Sequence, residues 1–100
     1  MAMHFLVSWD ISSQGARWQE INNRLYSTLV LRNPIRPLNT VYLMSVSGPT
    51  DRKAIIDALN AVAATVTEQV LILATPLMVG GGYDGRQPPA MWEEINRRTL

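Results

Sequence analysis

Leu29-Val30-Leu31-Arg32 can be read two ways, and the architecture of the whole chain turns on the choice. So brief an apolar run does not separate the end of a helix from a short strand by periodicity. Read as a short edge strand, it leads into Asn33-Pro34-Ile35-Arg36-Pro37-Leu38-Asn39, where two prolines fix φ and remove two backbone donors, so that segment is expected to be an extended loop. Thr40 to Ser47, with Val41-Tyr42-Leu43-Met44, then reads as the next strand. Read instead as helix, it makes the Pro-rich segment a plain connection and the chain a three-stranded parallel doubly wound sheet, unusually small for that class. We read an edge strand here.

Towards the N-terminus, Phe5, Val7 and Trp9 alternate with His4, Leu6 and Ser8, which predicts a strand from Met3 to Asp10. A Ser-rich turn follows over Ile11 to Gly15, and Trp18, Ile21, Leu25 and Leu29 fall at helical spacing, giving a helix from about Ala16 to Thr28. Towards the C-terminus, Gly48-Pro49 breaks the chain and Thr50 is the expected N-cap, with Asp51 favourably placed for the helix dipole. Ile55, Leu59, Val62 and Val66 continue as an apolar stripe, so a helix is expected over Asp51 to Ala64 and a strand over Gln69 to Thr75, closed by Pro76.

Strand, helix, two strands, helix, strand is an α+β order, the ferredoxin-like βαββαβ sandwich, in which right-handed crossovers put both helices on one face of an antiparallel sheet. Residues 1–76 form this core domain. Residues 77–100 comprise a loop with Gly80-Gly81-Gly82 and Gly85, then a short helix begun by Pro88-Pro89 and carrying Met91, Trp92 and Ile95. The strands are apolar on both alternating sets, Val41 and Leu43 against Tyr42, Met44 and Val46, which predicts burial on both faces. The C-terminal helix or a second copy of the chain would cover the face the helices leave open, and a homodimer is the expectation.

At 100 residues, 47% of them hydrophobic and 17% charged, the chain has material for one core. Nine Lys+Arg against eight Asp+Glu give a net charge of +1, no overall field that would draw nucleic acid or an anionic membrane. No cysteine and a single histidine exclude disulfides, thiol nucleophiles, cysteine-ligated zinc and iron–sulfur clusters. The start Met1-Ala2-Met3-His4 lacks a signal peptide's basic and apolar regions, and no stretch nears the roughly 20 apolar residues of a bilayer span. The cytoplasm is the expected compartment, with no membrane partner.

Phe5-Leu6-Val7-Ser8-Trp9-Asp10-Ile11 resembles the first strand of the CRISPR-associated Cas-two family, which runs apolar, apolar, Val, Ser or Gly, aromatic, Asp, apolar. Thr40-Val41-Tyr42-Leu43, Thr50 to Leu59 and Val70 to Leu73 also follow the layout of small bacterial SinR-like proteins, over about the first three quarters of the chain. The tail after Pro76 matches neither. The resemblance, which extends to VapD-type proteins, implies a ferredoxin-like homodimer. It also implies either a metal-dependent ribonuclease or a protein that binds DNA structurally beside an integrase. Asp10 maps onto the family's acidic end of strand one, which faces its symmetry mate, and Arg17 is a second position. The family's basic cluster after that Asp is thin here, since Ile11 to Ala16 has no base.

On this reading Asp10 is the candidate catalytic and metal residue, because Mg²⁺ or Mn²⁺ takes carboxylate and water oxygens and can activate water for attack on a phosphodiester. The alternative gives Asp10 only a structural role, accepting backbone N–H groups of the Ser12-Ser13 turn. Arg17, Arg86, Arg97 and Arg98 are the candidate contacts to RNA or DNA, and equally the kind of arginines that solvate helix ends. Gly80-x-Gly82-x-x-Gly85 matches the letters of the dinucleotide-binding pattern without its context, since no strand follows it, no acidic residue lies about 20 positions on and Pro88-Pro89 intervenes before the helix. His4 has no Ser, Cys or carboxylate near it in sequence and reads as structural or surface. Trp9, Trp18 and Tyr42 read as core, and Glu93 and Glu94, about 100° apart on a helix, as solvated. Two functions stand side by side, a nucleic-acid-binding protein or nuclease and a non-enzymatic interaction or regulatory module. A small-molecule enzyme or sensor built on the Gly-rich loop is a third.

Overall fold

A computed structural model of the chain describes residues 3–79 and 83–99. Strand β1, Met3–Ile11, turns Phe5, Val7, Trp9 and Ile11 to one side, where all four are buried. Helix α1, Gly15–Ser27, lays Ile21 and Leu25 on that side, and Leu29, one turn further along the same stripe, is also fully buried. A 3₁₀ turn over Val30–Arg32 follows. The expected edge strand at 29–32 is therefore corrected. Tightening the helix end into i→i+3 bonds, Leu29 N–H to the Tyr26 carbonyl at 2.9 Å and Arg32 N–H to the Leu29 carbonyl at 2.8 Å, keeps Leu29 in the core stripe.

Asn33, at φ 51° in the left-handed region that asparagine tolerates, turns the chain out of the 3₁₀ turn. Strand β2 is Ile35–Leu38, inside the Pro-rich segment expected to be loop. Pro37 is compatible because β2 lies at the sheet edge, where a missing N–H need not break a ladder. Strand β3, Val41–Val46, follows after two residues and pairs with β2 antiparallel with an irregular register, Ile35 opposite Leu43 and Leu38 opposite Val41.

Helix α2, Pro49–Ala64, starts earlier than expected: Gly48 is the N-cap in place of Thr50, and proline takes the first turn, where its missing N–H costs nothing. Asp51 caps in reverse, its Oδ2 accepting the Ser47 N–H at 3.1 Å while Oδ1 receives Arg32 at 2.6 Å. The Ser47 amide first and Arg32 second hold the Asp51 carboxyl below the usual carboxylate range. Strand β4, Val70–Ala74, pairs antiparallel with β1, as does the two-residue β5, Met78–Val79, which the sequence did not indicate. Helix α3, Pro89–Thr99, ends the described chain.

Among the described residues the result is an α+β fold, a five-stranded antiparallel sheet in the order β2-β3-β1-β4, with β5 also paired to β1, and three helices. Fully buried Phe5, Ile21, Leu25, Met44 and Leu59 fill the space between the sheet and helices α1 and α2, each worth about 1.5–3 kcal/mol in apolar burial. On the outer face α3 lies over the β2–β3 half, where Ile95 and Trp92 share a cleft with Leu6, Leu38, Val41 and Leu43. The β4 half of that face is open. Among the described residues no helix is long and apolar enough to cross a membrane.

Candidate functional site

Asp10 points to the outer face because it alternates with the core residues Trp9 and Ile11. Its antiparallel partner is Leu71, and that of Ser8 is Leu73, so the four side chains rise from the same face as neighbouring pairs. Leu71 is 56% and Leu73 77% exposed, and Asp10 is exposed beside them. A shallow groove of about 230 Å³ runs between them, bounded by Ser8, Asp10, Leu71 and Leu73. Asp10 brings the only ionisable side chain among the described residues into it. Among the described residues no three His, Cys, Asp or Glu side chains converge on one point. The Ser12 turn is closed without Asp10: Ser12 Oγ accepts the Gln69 N–H at 2.8 Å, and the Ser12 N–H donates to the Gln69 carbonyl at 3.0 Å.

The four arginines singled out from the sequence do not come together. Arg17 binds Glu68 through two parallel hydrogen bonds, Nε to Oε2 at 2.5 Å and Nη2 to Oε1 at 3.0 Å, and also reaches Glu20 at 3.1 Å. That geometry holds the Glu68 carboxyl at about 2, through the Arg17 hydrogen bond first, and raises the Arg17 guanidinium. Arg97 and Arg98 both pair with Glu94, at 2.6 and 3.0 Å, and Arg98 also donates to the carbonyl and side chain of Asn33. Together, Arg97 first, they depress the Glu94 carboxyl. Arg86 alone of the four makes no ion pair among the described residues, and it lies at the mouth of the cleft beneath α3.

That cleft holds about 270 Å³ over an apolar floor of Leu6, Val41 and Leu43, with Trp92 on its wall and Tyr83, Asp84, Arg86 and Gln87 at its rim. Beside it, His4 is completely buried under Tyr83, ring centroids 5.7 Å apart, and neither ring nitrogen has a hydrogen-bond partner among the described residues. Burial lowers the His4 imidazole below the ordinary histidine range and raises the Tyr83 phenol. Of the glycine pattern, Gly80 and Gly82 lie outside the described residues, and Gly85 sits at φ 137°, a conformation glycine adopts freely.

One pair was missed in the sequence. Asn22 lies one turn beyond Trp18 and among Ile21 and Leu25, and is only 8% exposed, its Oδ1 accepting the Trp9 indole N–H at 3.0 Å. An amide on an otherwise apolar stripe was the available signal. No family model, curated protein or solved structure matches this chain.

Proposed function

We propose that the protein is a non-enzymatic, homodimeric interaction module of ferredoxin-like fold, its two sheets meeting across the open half of the outer face. The strand order β2-β3-β1-β4, with β1 antiparallel to both β3 and β4, supports the ferredoxin-like assignment. One observation carries the rest: Leu71 and Leu73 stand 56% and 77% exposed on the face that α3 does not reach. A second copy turned about a dyad near them would bury four leucines, and a cysteine-free chain suits a cytoplasmic setting. Sedimentation equilibrium at micromolar concentration tests this. The wild type is expected at the mass of two chains and the Leu71→Glu/Leu73→Glu variant, with unchanged circular dichroism, at the mass of one. A wild-type mass of one chain would overturn the reading.

The Asp10–Leu71 pairing favours a second reading, a Cas-two-like nucleic-acid-binding dimer that cleaves RNA or DNA with Mg²⁺ or Mn²⁺. A dyad beside Leu71 brings two Asp10 carboxylates to one interface, the protein share that a hydrated divalent cation uses. Arg86 and the exposed Arg97 would meet the phosphates. Metal-dependent cleavage of labelled RNA or DNA that disappears in Asp10→Asn supports it. Absence of cleavage leaves the interaction module.

A further inference from the structure

On the helix side of the sheet, at the β2 edge, a cleft of about 260 Å³ opens between α1 and the segment after the 3₁₀ turn. Its chemistry differs from that of the outer face. Asn22 and Tyr42, 8% and 3% exposed, both line it. The indole of Trp9 is a donor only, so the Asn22 atom it meets at 3.0 Å is the amide oxygen, which leaves the NH₂ of this cleft-lining side chain free of Trp9. That NH₂ has no acceptor among the described residues, although the side chain is more than nine-tenths buried. Arg36 stands over the Tyr42 ring, its Cζ 5.8 Å from the centroid. Its Nε is held by the Asn39 carbonyl at 3.0 Å, which fixes the guanidinium plane and leaves the two Nη groups for another partner. Among the described residues no carboxylate lines the cleft.

The aromatic wall is equally ordered. Tyr42 stacks on Trp9 with centroids 4.8 Å apart and planes 21° from parallel, and Tyr26 stands 5.5 Å away, 37% exposed and available to a flat partner. We propose that this cleft binds a small oxyanion-bearing ligand with a planar ring, the chemistry of a nucleoside monophosphate. The anion is met by Arg36 Nη and Asn22 Nδ2, and the ring lies against Tyr26. An unpartnered amide donor on a mostly buried side chain and a fixed guanidinium with no counter-ion among the described residues favour an anion, and the volume admits one ring and one phosphate. The site lies on the opposite side of the sheet from the proposed dimer face, so its test is independent of the oligomeric state.

Binding is read from the Asn22 and Arg36 side-chain N–H resonances and from calorimetry, with AMP and CMP as probes and inorganic phosphate and the parent nucleosides as controls. The monophosphates are expected to shift both resonances and to bind more tightly than either half alone. Arg36→Gln should weaken them about tenfold or more, and Tyr26→Ala, which removes the ring's platform, about threefold or more. Asn22→Asp keeps the oxygen that Trp9 needs and replaces the NH₂, so it should retain the fold and abolish binding. Unmoved resonances at millimolar monophosphate would overturn the proposal. So would equal affinity for the nucleosides or for phosphate alone, or undiminished binding by Asn22→Asp.

Discussion

The Leu6 N–H donates to Thr75 Oγ1 at 2.9 Å while the Thr75 N–H donates to the Leu6 carbonyl at 2.9 Å, so a side chain takes the place of a ladder carbonyl. Val7 pairs with Ala74 and His4 with Met78, which sets Phe5 and Leu6 against Thr75, Pro76 and Leu77: one extra residue, a bulge with a proline in it. The displaced Thr75 carbonyl is taken by Arg52, through Nε at 3.0 Å and Nη2 at 2.8 Å, and the same guanidinium lies over the Phe5 ring. Replacing Thr75 by Val leaves the Leu6 N–H without a partner inside the sheet. The expected loss is about 1–2 kcal/mol in urea denaturation, with Thr75→Ser close to wild type because it retains Oγ.

Glu68 and Arg17 tie the residues before β4 to the start of α1, and their geometry sets an acid limit on stability. The Glu68 carboxyl titrates at about 2 in the folded chain against an ordinary 4.5, so the unfolded chain takes up the proton first. The pair's contribution is therefore fully present above about pH 4.5 and fades as pH falls towards 2. Arg17→Gln should move the Glu68 carboxyl back towards its ordinary range in a ¹³C titration and flatten the decline of the urea midpoint across that interval. An unmoved carboxyl would mean that the ion pair does not persist in solution.

His4 acts at milder acidity. Its imidazole is lowered by burial from 6.5, and Tyr83 and the β5 residue Met78 stand against it, neither carrying a charge to stabilise the protonated form. The unfolded chain binds the proton more readily, so the neutral ring's contribution is full above pH 6.5 and is lost as pH falls below it through the folded value. The urea midpoint of the wild type should drop between pH 7 and pH 5. His4→Phe, which keeps a ring against Tyr83 and cannot be protonated, should show a much smaller drop.

Among the described residues, six of the eight strands and helices follow from periodicity and breakers, because each has a stripe or an alternation long enough to declare its period. The two missed strands fail for physical reasons. In β2 the edge position removes the objection to Pro37, and position in a sheet is a tertiary fact that local sequence does not carry. In β5 two residues are too few to alternate, and they pair only because Thr75 absorbs the bulge. At 29–32 the identical apolar letters suit either state, and burial of Leu29 together with the Arg32–Asp51 pair decides for a 3₁₀ turn. Asp10 was singled out by the resemblance, and its alternation with buried Trp9 and Ile11 puts it on the outer face. Its isolation from other carboxylates, and the pairing of Arg17, Arg97 and Arg98 with acids, came from residues distant in sequence or a turn away on the same helix.

Arg98 separates a structural arginine from a ligand-binding one. Its side chain is only 10% exposed, reaches Glu94 one turn back and donates to the Asn33 carbonyl and Oδ1, which ties α3 to the left-handed residue that opens β2. Arg97, beside it on the helix and 64% exposed, shares Glu94 and makes no other ion pair among the described residues. Arg98→Ala should cost about 1 kcal/mol, since it removes a mostly buried side chain and its hydrogen bonds to the exposed Asn33, whereas Arg97→Ala should stay within about 0.5 kcal/mol. Hydrogen exchange gives the sharper readout. In Arg98→Ala the Ile95 and Thr99 amides should exchange faster while those of β1 and β3 keep their protection, because only the outer-face packing of α3 is released. Uniform acceleration across the sheet would instead make α3 part of the same cooperative unit as the core, a tail whose docking the sheet cannot do without.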